Sequence, residues 1–210
     1  MSRRNKVVRV KICGITRIED AQAVSMSGAD AIGLVFYEKS PRHVSIEKAM
    51  QLVASLPPFV TVVGLFVNAD AAAVREVLAA VSIDVLQFHG DESPEYCGQF
   101  GRSYLKAIRV KAGVNLVQCA AQFSSAQGLL LDAHVEGIPG GTGAVFDWTL
   151  IPEDLPLPLI LSGGLDVENV ASAIKQVQPY AVDVSSGVEA GKGIKDAAKI
   201  ARFMQEVRNV

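Results

Sequence analysis

Cys13 ends the run Lys11-Ile12-Cys13, and Asp132 ends Leu129-Leu130-Leu131-Asp132. Both stand at the close of short apolar segments that read as buried strands. A carboxylate directly after such a segment is costly to leave unpaired. Burial would raise its pKa above the ordinary aspartate value of about 3.9, which suits a general acid at neutral pH. A thiol with a free pKa of about 8.5 is a poor base, but an electropositive site lowers that value and supplies thiolate. Two titratable groups with opposed tasks are the pattern of acid–base work on one substrate. Each has a plainer alternative: Cys13 as a small buried hydrophobe, and Asp132 as a helix cap or the partner of a lysine. Position alone does not choose for Cys13. For Asp132, no regular helix starts straight after it, which weakens the capping alternative.

Two short segments combine serine with glycine: Leu161-Ser162-Gly163-Gly164-Leu165 and Val184-Ser185-Ser186-Gly187-Val188. Glycine lets backbone N–H groups approach an oxyanion, and serine adds a hydroxyl donor. Gly163, Gly164, Ser185, Ser186 and Gly187 are therefore the candidate phosphate ligands. A third cluster, Gly137-Ile138-Pro139-Gly140-Gly141-Thr142-Gly143, reads as a flap, a second set of anion-facing amides or a structural loop. Arg42, in Ser40-Pro41-Arg42-His43-Val44, carries the planar fork that fits a carboxylate, although a solvated loop arginine is the commoner case. His89 ends Gln87-Phe88-His89 and either lines a pocket or bonds to a neighbouring strand end. Asp183 ends a further apolar run. His43 and His134 carry no clear case, and Cys97 and Cys119 fall on predicted helices as buried small residues. No His/Cys/Asp cluster has metal-ligand spacing, so no metal is expected.

The segments that would hold these residues alternate in type. Strand-like runs cover Val7–Ile15, Ala31–Tyr37, Thr61–Val67, Val85–His89, Tyr104–Val110, Gly128–His134, Leu157–Leu161 and Ala181–Ser185. Helical spacing follows at Ile18–Ser27, Ile46–Leu56, Ala71–Val81, Pro94 to about Phe100, Val114–Phe123, Val170–Val177 and Lys195–Val207. After the sixth strand only a short helical turn near Asp147–Ile151 is expected. Strands alternating with helices indicate parallel βαβ units. Eight of them predict an α/β fold, a single-domain (βα)8 TIM barrel over residues 1–210, with its strand ends gathered on one functional face and phosphate sites favoured after strands seven and eight. An open doubly wound sheet is the second choice, and the Gly-x-Gly-x-x-Gly turn that would favour it is missing after the first strand.

Composition narrows the class. Half of the 210 residues are hydrophobic and the formal net charge is −2, which is unlike the basic stripe of a nucleic-acid binder. Three cysteines without Cys-x-x-Cys spacing predict no disulfide framework and a reducing, cytoplasmic setting. Met1–Lys6 is polar and basic, but Lys11 interrupts the apolar run behind it, so no signal peptide is expected. The apolar stretches fall short of the ~20 residues that span a bilayer.

Several motifs, in order and over nearly the whole chain, resemble the phosphoribosylanthranilate isomerase family of tryptophan biosynthesis. They are KICGIT at 11–16, SPRHVS at 40–45, GLFVN at 64–68, LQFHGDES at 86–93, LLLDAH at 129–134, GGTGAVFDW at 140–148, LSGGL at 161–165 and DVSSGVE at 183–189. The resemblance implies a cofactor-free Amadori rearrangement of N-(5′-phosphoribosyl)anthranilate to the carboxyphenylamino-deoxyribulose phosphate. It makes Asp132 the general acid, Cys13 the general base and Arg42 the holder of the anthranilate carboxylate, with the Gly-Ser loops on the phosphate. Asp183 is expected at the substrate hydroxyls, and His89 among the substrate-binding residues. The partner implied is a small phosphosugar, with no nucleic acid or membrane, in a monomer or a homodimer. Indole-glycerol-phosphate synthase and aminoimidazole ribonucleotide isomerase fit worse, because a catalytic Lys or an Asp respectively would be required where these barrels carry theirs, and the first strand here ends on Cys13. A phosphate-binding barrel without turnover would need neither Cys13 nor Asp132.

Overall fold

The computed structural model describes residues 7–111, 113–133, 147–152 and 154–210. Eight strands, β1 (Arg9–Cys13), β2 (Ala31–Val35), β3 (Thr61–Phe66), β4 (Val85–Phe88), β5 (Tyr104–Val110), β6 (Gly128–Ala133), β7 (Leu159–Leu161) and β8 (Ala181–Val184), follow one another in a closed barrel. All pairings in it are parallel, and β8 returns to β1 with Lys11 opposite Asp183 and Ile12 opposite Val184. The expected α/β barrel is therefore the observed one. Helices α1 (Ile18–Met26), α2 (Ile46–Ala54), α3 (Ala71–Ala80), α4 (Pro94–Gly98), α5 (Leu116–Gln122), α6 (Val170–Val177) and α7 (Ala197–Arg208) cover the outside.

Side-chain alternation along each strand sorts the core into two regions. Outward residues such as Ile12, Ile32, Leu34, Phe66, Leu86, Phe88, Leu129 and Leu131 pack beneath the helices, all at most 1% exposed. Inward residues plug the barrel. Ala107, Leu130, Ile160 and Ala181, joined by Leu105, close its lower part. Cys13, Val35 and Leu65, with Tyr37 and Val67, sit at the mouth. The same alternation turns Lys11, Asp132, Asp183, Gln87 and His89 inward, and all five are buried.

Local chemistry sets the ends of the elements. The seventh strand is shorter than its apolar run, because Pro156 and Pro158 lack the N–H of a ladder residue. The fifth helix starts at Leu116 rather than Val114, since the Asn115 side chain caps it by accepting from the Gln118 amide. The sixth connection holds a 3-10 turn at Trp148–Leu150, where a short helical turn was expected. The last helix begins at Ala197, not Lys195: Asp196 caps it by accepting from the amides of Ala198 and Lys199. Ahead of it lies an unpredicted antiparallel hairpin, β9 (Glu189–Gly191) and β10 (Ile194–Lys195). His134, the Gly-rich segment 137–143 and Met1–Lys6 lie outside the described residues. No helix among the described residues is long and apolar enough to cross a membrane.

Candidate active site

A cavity opens at the C-terminal mouth of the strands. Its wall includes Cys13 from β1, Gln87 and His89 from the end of β4, Asp132 from β6, Asp183 from β8, and Arg42 from the β2–α2 connection. Ser162, Gly163, Gly164, Leu165, Ser185 and Ser186 line its β7–β8 side. The structure thus brings together every sequence-predicted site residue except Gly187. That glycine sits behind the wall, bridged to Asp166, where a Cβ would collide with the Leu165 carbonyl.

Cys13 is 7% exposed. Two residues earlier on the same face, Lys11 donates to Asp183 Oδ1 at 2.9 Å, with both side chains buried. Gly33, on the neighbouring strand, makes room for them: a Cβ there would stand 2.7 Å from Cys13 Sγ and 3.1 Å from Lys11 Nζ. Burial pushes the thiol up; Lys11 pulls it down, Asp183 pushes it up again, Lys195 pulls it down, and the net direction is upward. At this thiol desolvation outweighs the neighbouring cations. The Lys11 ammonium, despite its burial, is held above the ordinary lysine value by Asp183 and Cys13.

Across the barrel, Gln87 Nε2 meets His89 Nδ1 at 3.0 Å, and His89 Nε2 meets Asp132 Oδ2 at 3.1 Å. With the Gln87 amide nitrogen facing Nδ1, that ring nitrogen accepts, so Nε2 carries the hydrogen and donates to Asp132. His89 thus lines the pocket and reaches past β5 to the carboxylate on β6.

Arg42 is not a solvated loop arginine. Its Nε and Nη2 grip both oxygens of Glu189 at 2.7 and 2.8 Å, with the two side chains 11% and 6% exposed. Lys195 shares Glu189 Oε1 at 2.9 Å and donates to the Ser185 carbonyl at 3.0 Å. Burial works to raise the Glu189 carboxyl, but Arg42 and Lys195 together hold it below the usual glutamate value. Burial drags the Lys195 ammonium down even beside Glu189. The β9–β10 hairpin is therefore part of the site, supplying Glu189 at its start and Lys195 at its end.

At the β7 loop, Gly163 and Gly164 adopt φ of +84° and +66°, a region open to glycine at no steric cost. No described residue accepts a hydrogen bond from either amide. Ser186 lines the same wall, and beside it the Ser185 hydroxyl donates to the Cys13 carbonyl at 3.0 Å, so the glycine amides are the donors of a concave surface suited to an oxyanion. Among the described residues, no three His, Cys, Asp or Glu side chains converge as metal ligands would.

Lys11, Gln87, Glu189 and Lys195 are the site residues the sequence reading passed over. Two of them had a signal: Lys11 and Gln87 stand two positions before Cys13 and His89, hence on the same inward face of their strands. Glu189 and Lys195 depend on the hairpin, which no periodicity announced.

Fold and site together define a (βα)8-barrel enzyme whose chemistry sits at the C-terminal mouth of its strands. The family described as N-(5'phosphoribosyl)anthranilate (PRA) isomerase matches residues 10–206. The N-(5'-phosphoribosyl)anthranilate isomerase of Pseudomonas fluorescens (strain SBW25) is 62% identical over 202 residues, covering 96% of each chain. That of Thiobacillus denitrificans is 61% identical over 201 residues, covering 96% of this chain and 98% of its own. The crystal structure of phosphoribosyl anthranilate isomerase from Thermotoga maritima superposes with a TM-score of 0.89 at 42% identity, over 97% of this chain and 100% of that one. A phosphoribosyl anthranilate isomerase crystallised with reduced 1-(o-carboxyphenylamino)-1-deoxyribulose 5-phosphate gives 0.86 at 42% identity, over 97% and 100% of the two chains. The chain belongs to the phosphoribosylanthranilate isomerase family, as its motifs led us to expect, and is an isomerase of tryptophan biosynthesis.

Proposed function

We propose a division of roles for the isomerisation of N-(5′-phosphoribosyl)anthranilate at this mouth. The carrying observation is that a thiol on β1 and a carboxylate on β6 line one cavity whose third side is the Gly-Ser cradle. Asp132, oriented by His89, protonates the ribose ring oxygen as the bond from that oxygen to C1′ breaks. The nitrogen lone pair closes the Schiff base. Cys13 then removes the proton from C2′, and the electrons of that C–H bond form the C1′–C2′ double bond while the iminium nitrogen is neutralised. The resulting enolamine tautomerises to the 2′-ketone, the 1-(2-carboxyphenylamino)-1-deoxyribulose 5-phosphate. No cofactor is called for, since the reaction only moves protons within one molecule.

The phosphate lies on Gly163, Gly164, Ser185 and Ser186, with Gly187 buttressing the turn from behind. Arg42 takes the anthranilate carboxylate, presenting Nη1 while Glu189 keeps the rest of its fork in place. Asp183 reaches the ribose hydroxyls from the level of Lys11. The relative crystallised with a reduced carboxyphenylamino-deoxyribulose phosphate supports this assignment of ligand class. The same reading places the enzyme in the cytoplasm, in keeping with its three free thiols, acting on a small phosphosugar as a monomer or homodimer.

The test is the loss of anthranilate fluorescence from freshly made substrate, with wild type beside Cys13→Ala and Asp132→Asn. Each variant is expected to lose roughly two or more orders of magnitude in turnover, as for removal of a general base or acid, with binding of a reduced product analogue little changed. Near-normal turnover in either folded variant removes that residue's role.

A further inference from the structure

We propose that Lys11 is the positioning residue for Cys13: its ammonium, anchored by Asp183, is the counter-ion that steadies the thiolate of Cys13 against the cost of its burial and aims it into the cavity. The proposal builds on Cys13 as the base of the isomerisation. Its ground is the geometry of a three-residue array that bridges the β1–β8 seam. Lys11 and Cys13 are two apart on β1 and face inward together. Asp183 sits level with Lys11 across the strand pairing and accepts its hydrogen bond at 2.9 Å. Sulfur and ammonium converge on the single spot that the absent side chain of Gly33 leaves open, 2.7 and 3.1 Å from where its Cβ would stand.

A lysine inside a barrel is an expensive way to fill space. Its charge must be paired and hydrogen-bonded, and replacing such a pair by apolar side chains is commonly neutral or stabilising. Asp183 alone satisfies one of three N–H donors. The thiolate is a natural second acceptor, and the charge balance favours it. Around Cys13 stand three cations, Lys11 on β1, Lys195 on β10 and Arg42 in the β2–α2 connection, against two carboxylates, Asp183 on β8 and Glu189 on β9. Arg42 and Lys195 are both committed to Glu189. That leaves Lys11 as the cation shared between Asp183 and the sulfur, and a thiolate brings the cluster to neutrality. When substrate hydroxyls occupy Asp183, the carboxylate's hold on Lys11 weakens and the ammonium turns further toward the sulfur. The base is thereby strengthened only when substrate is in place. After proton abstraction the thiol is neutral, and Lys11 falls back on Asp183.

The two partners of Lys11 act on the thiol in opposite senses, which gives the test its sign. Only the thiolate is alkylated, so the rate of iodoacetamide modification at Cys13, followed by mass spectrometry of its peptide against pH, reports the thiolate directly and without turnover. Lys11→Met is expected to move the midpoint up by a unit or more, slowing modification at pH 7 by about tenfold or more. Asp183→Asn is expected to move it down and speed modification. Lys11→Arg, which keeps the charge, is expected to stay close to wild type. The rising limb of the kcat–pH profile should follow the alkylation midpoint in each variant. A Lys11→Met protein, folded by circular dichroism, whose alkylation profile coincides with wild type overturns the proposal. Should Lys11→Met not fold, an upward or absent shift in Asp183→Asn overturns it equally. A shifted alkylation profile together with normal turnover in Cys13→Ala rejects the base assignment while keeping the lysine's grip on the sulfur.

Discussion

Gly33 shows how a single missing side chain governs the site. A methyl group there would press on Cys13 Sγ at 2.7 Å, so Gly33→Ala is expected to fold and bind a product analogue but to lose turnover by roughly tenfold or more, since misplacing a proton-transfer group by a fraction of an ångström breaks its alignment; paired kcat and KM measurements check this. Arg42 makes a different prediction. If it holds the substrate carboxylate equally in ground and transition states, Arg42→Ala raises KM with kcat little changed. Glu189 is held below the usual glutamate value by Arg42 and Lys195 against its burial. A depressed carboxyl stabilises the fold above its unfolded pKa and loses that contribution as pH falls through the folded value. Acid titration of wild type should therefore show a loss of stability below about pH 4.5 that is reduced in Glu189→Gln, read as denaturation midpoints against pH. Of these groups, Cys13, Asp132 and Arg42 were legible because a reactive type stood at the end of an apolar run or in a turn. The pairing of Arg42 with Glu189 was not: its partners are 147 residues apart, and nothing in either neighbourhood points to the other.

At the scale of elements, alternation and helical spacing located the eight strands and most of the helices, because each barrel strand is a buried run and each helix shows one apolar face. Ends were less legible, since they depend on single side chains. Asp196 is the clearest case. It accepts from the amides of Ala198 and Lys199 at 2.9 and 3.1 Å and so starts α7 two residues later than its apolar spacing suggests. Asp196→Ala is expected to cost about 1 kcal/mol, visible as a fall of roughly 2–4 °C in Tm. The β9–β10 hairpin escaped the reading because strands of three and two residues are too short to show a period. Its value lies in Glu189 and Lys195, the charged groups at its two ends, both buried against the mouth of the barrel.

For the molecule as a whole, closure is the dominant fact. Ile12 and Val182 on the first and last strands, and Phe203 and Met204 on α7, belong to one continuous core. Phe203 is fully buried, and Phe203→Ala is expected to lower unfolding stability by about 3–5 kcal/mol, measured by denaturant titration with a single transition. Closure also has a consequence in time. Lys11 meets Asp183 across 172 residues of chain. At a ribosomal pace of about 5–20 residues per second, the lysine emerges roughly ten to thirty seconds before the carboxylate that neutralises it. Until then the first strand carries a charge that is costly to bury unpaired, which disfavours closing the interior around an incomplete barrel. The ion pair at the seam is a latch that cannot fasten before the chain has reached its eighth strand.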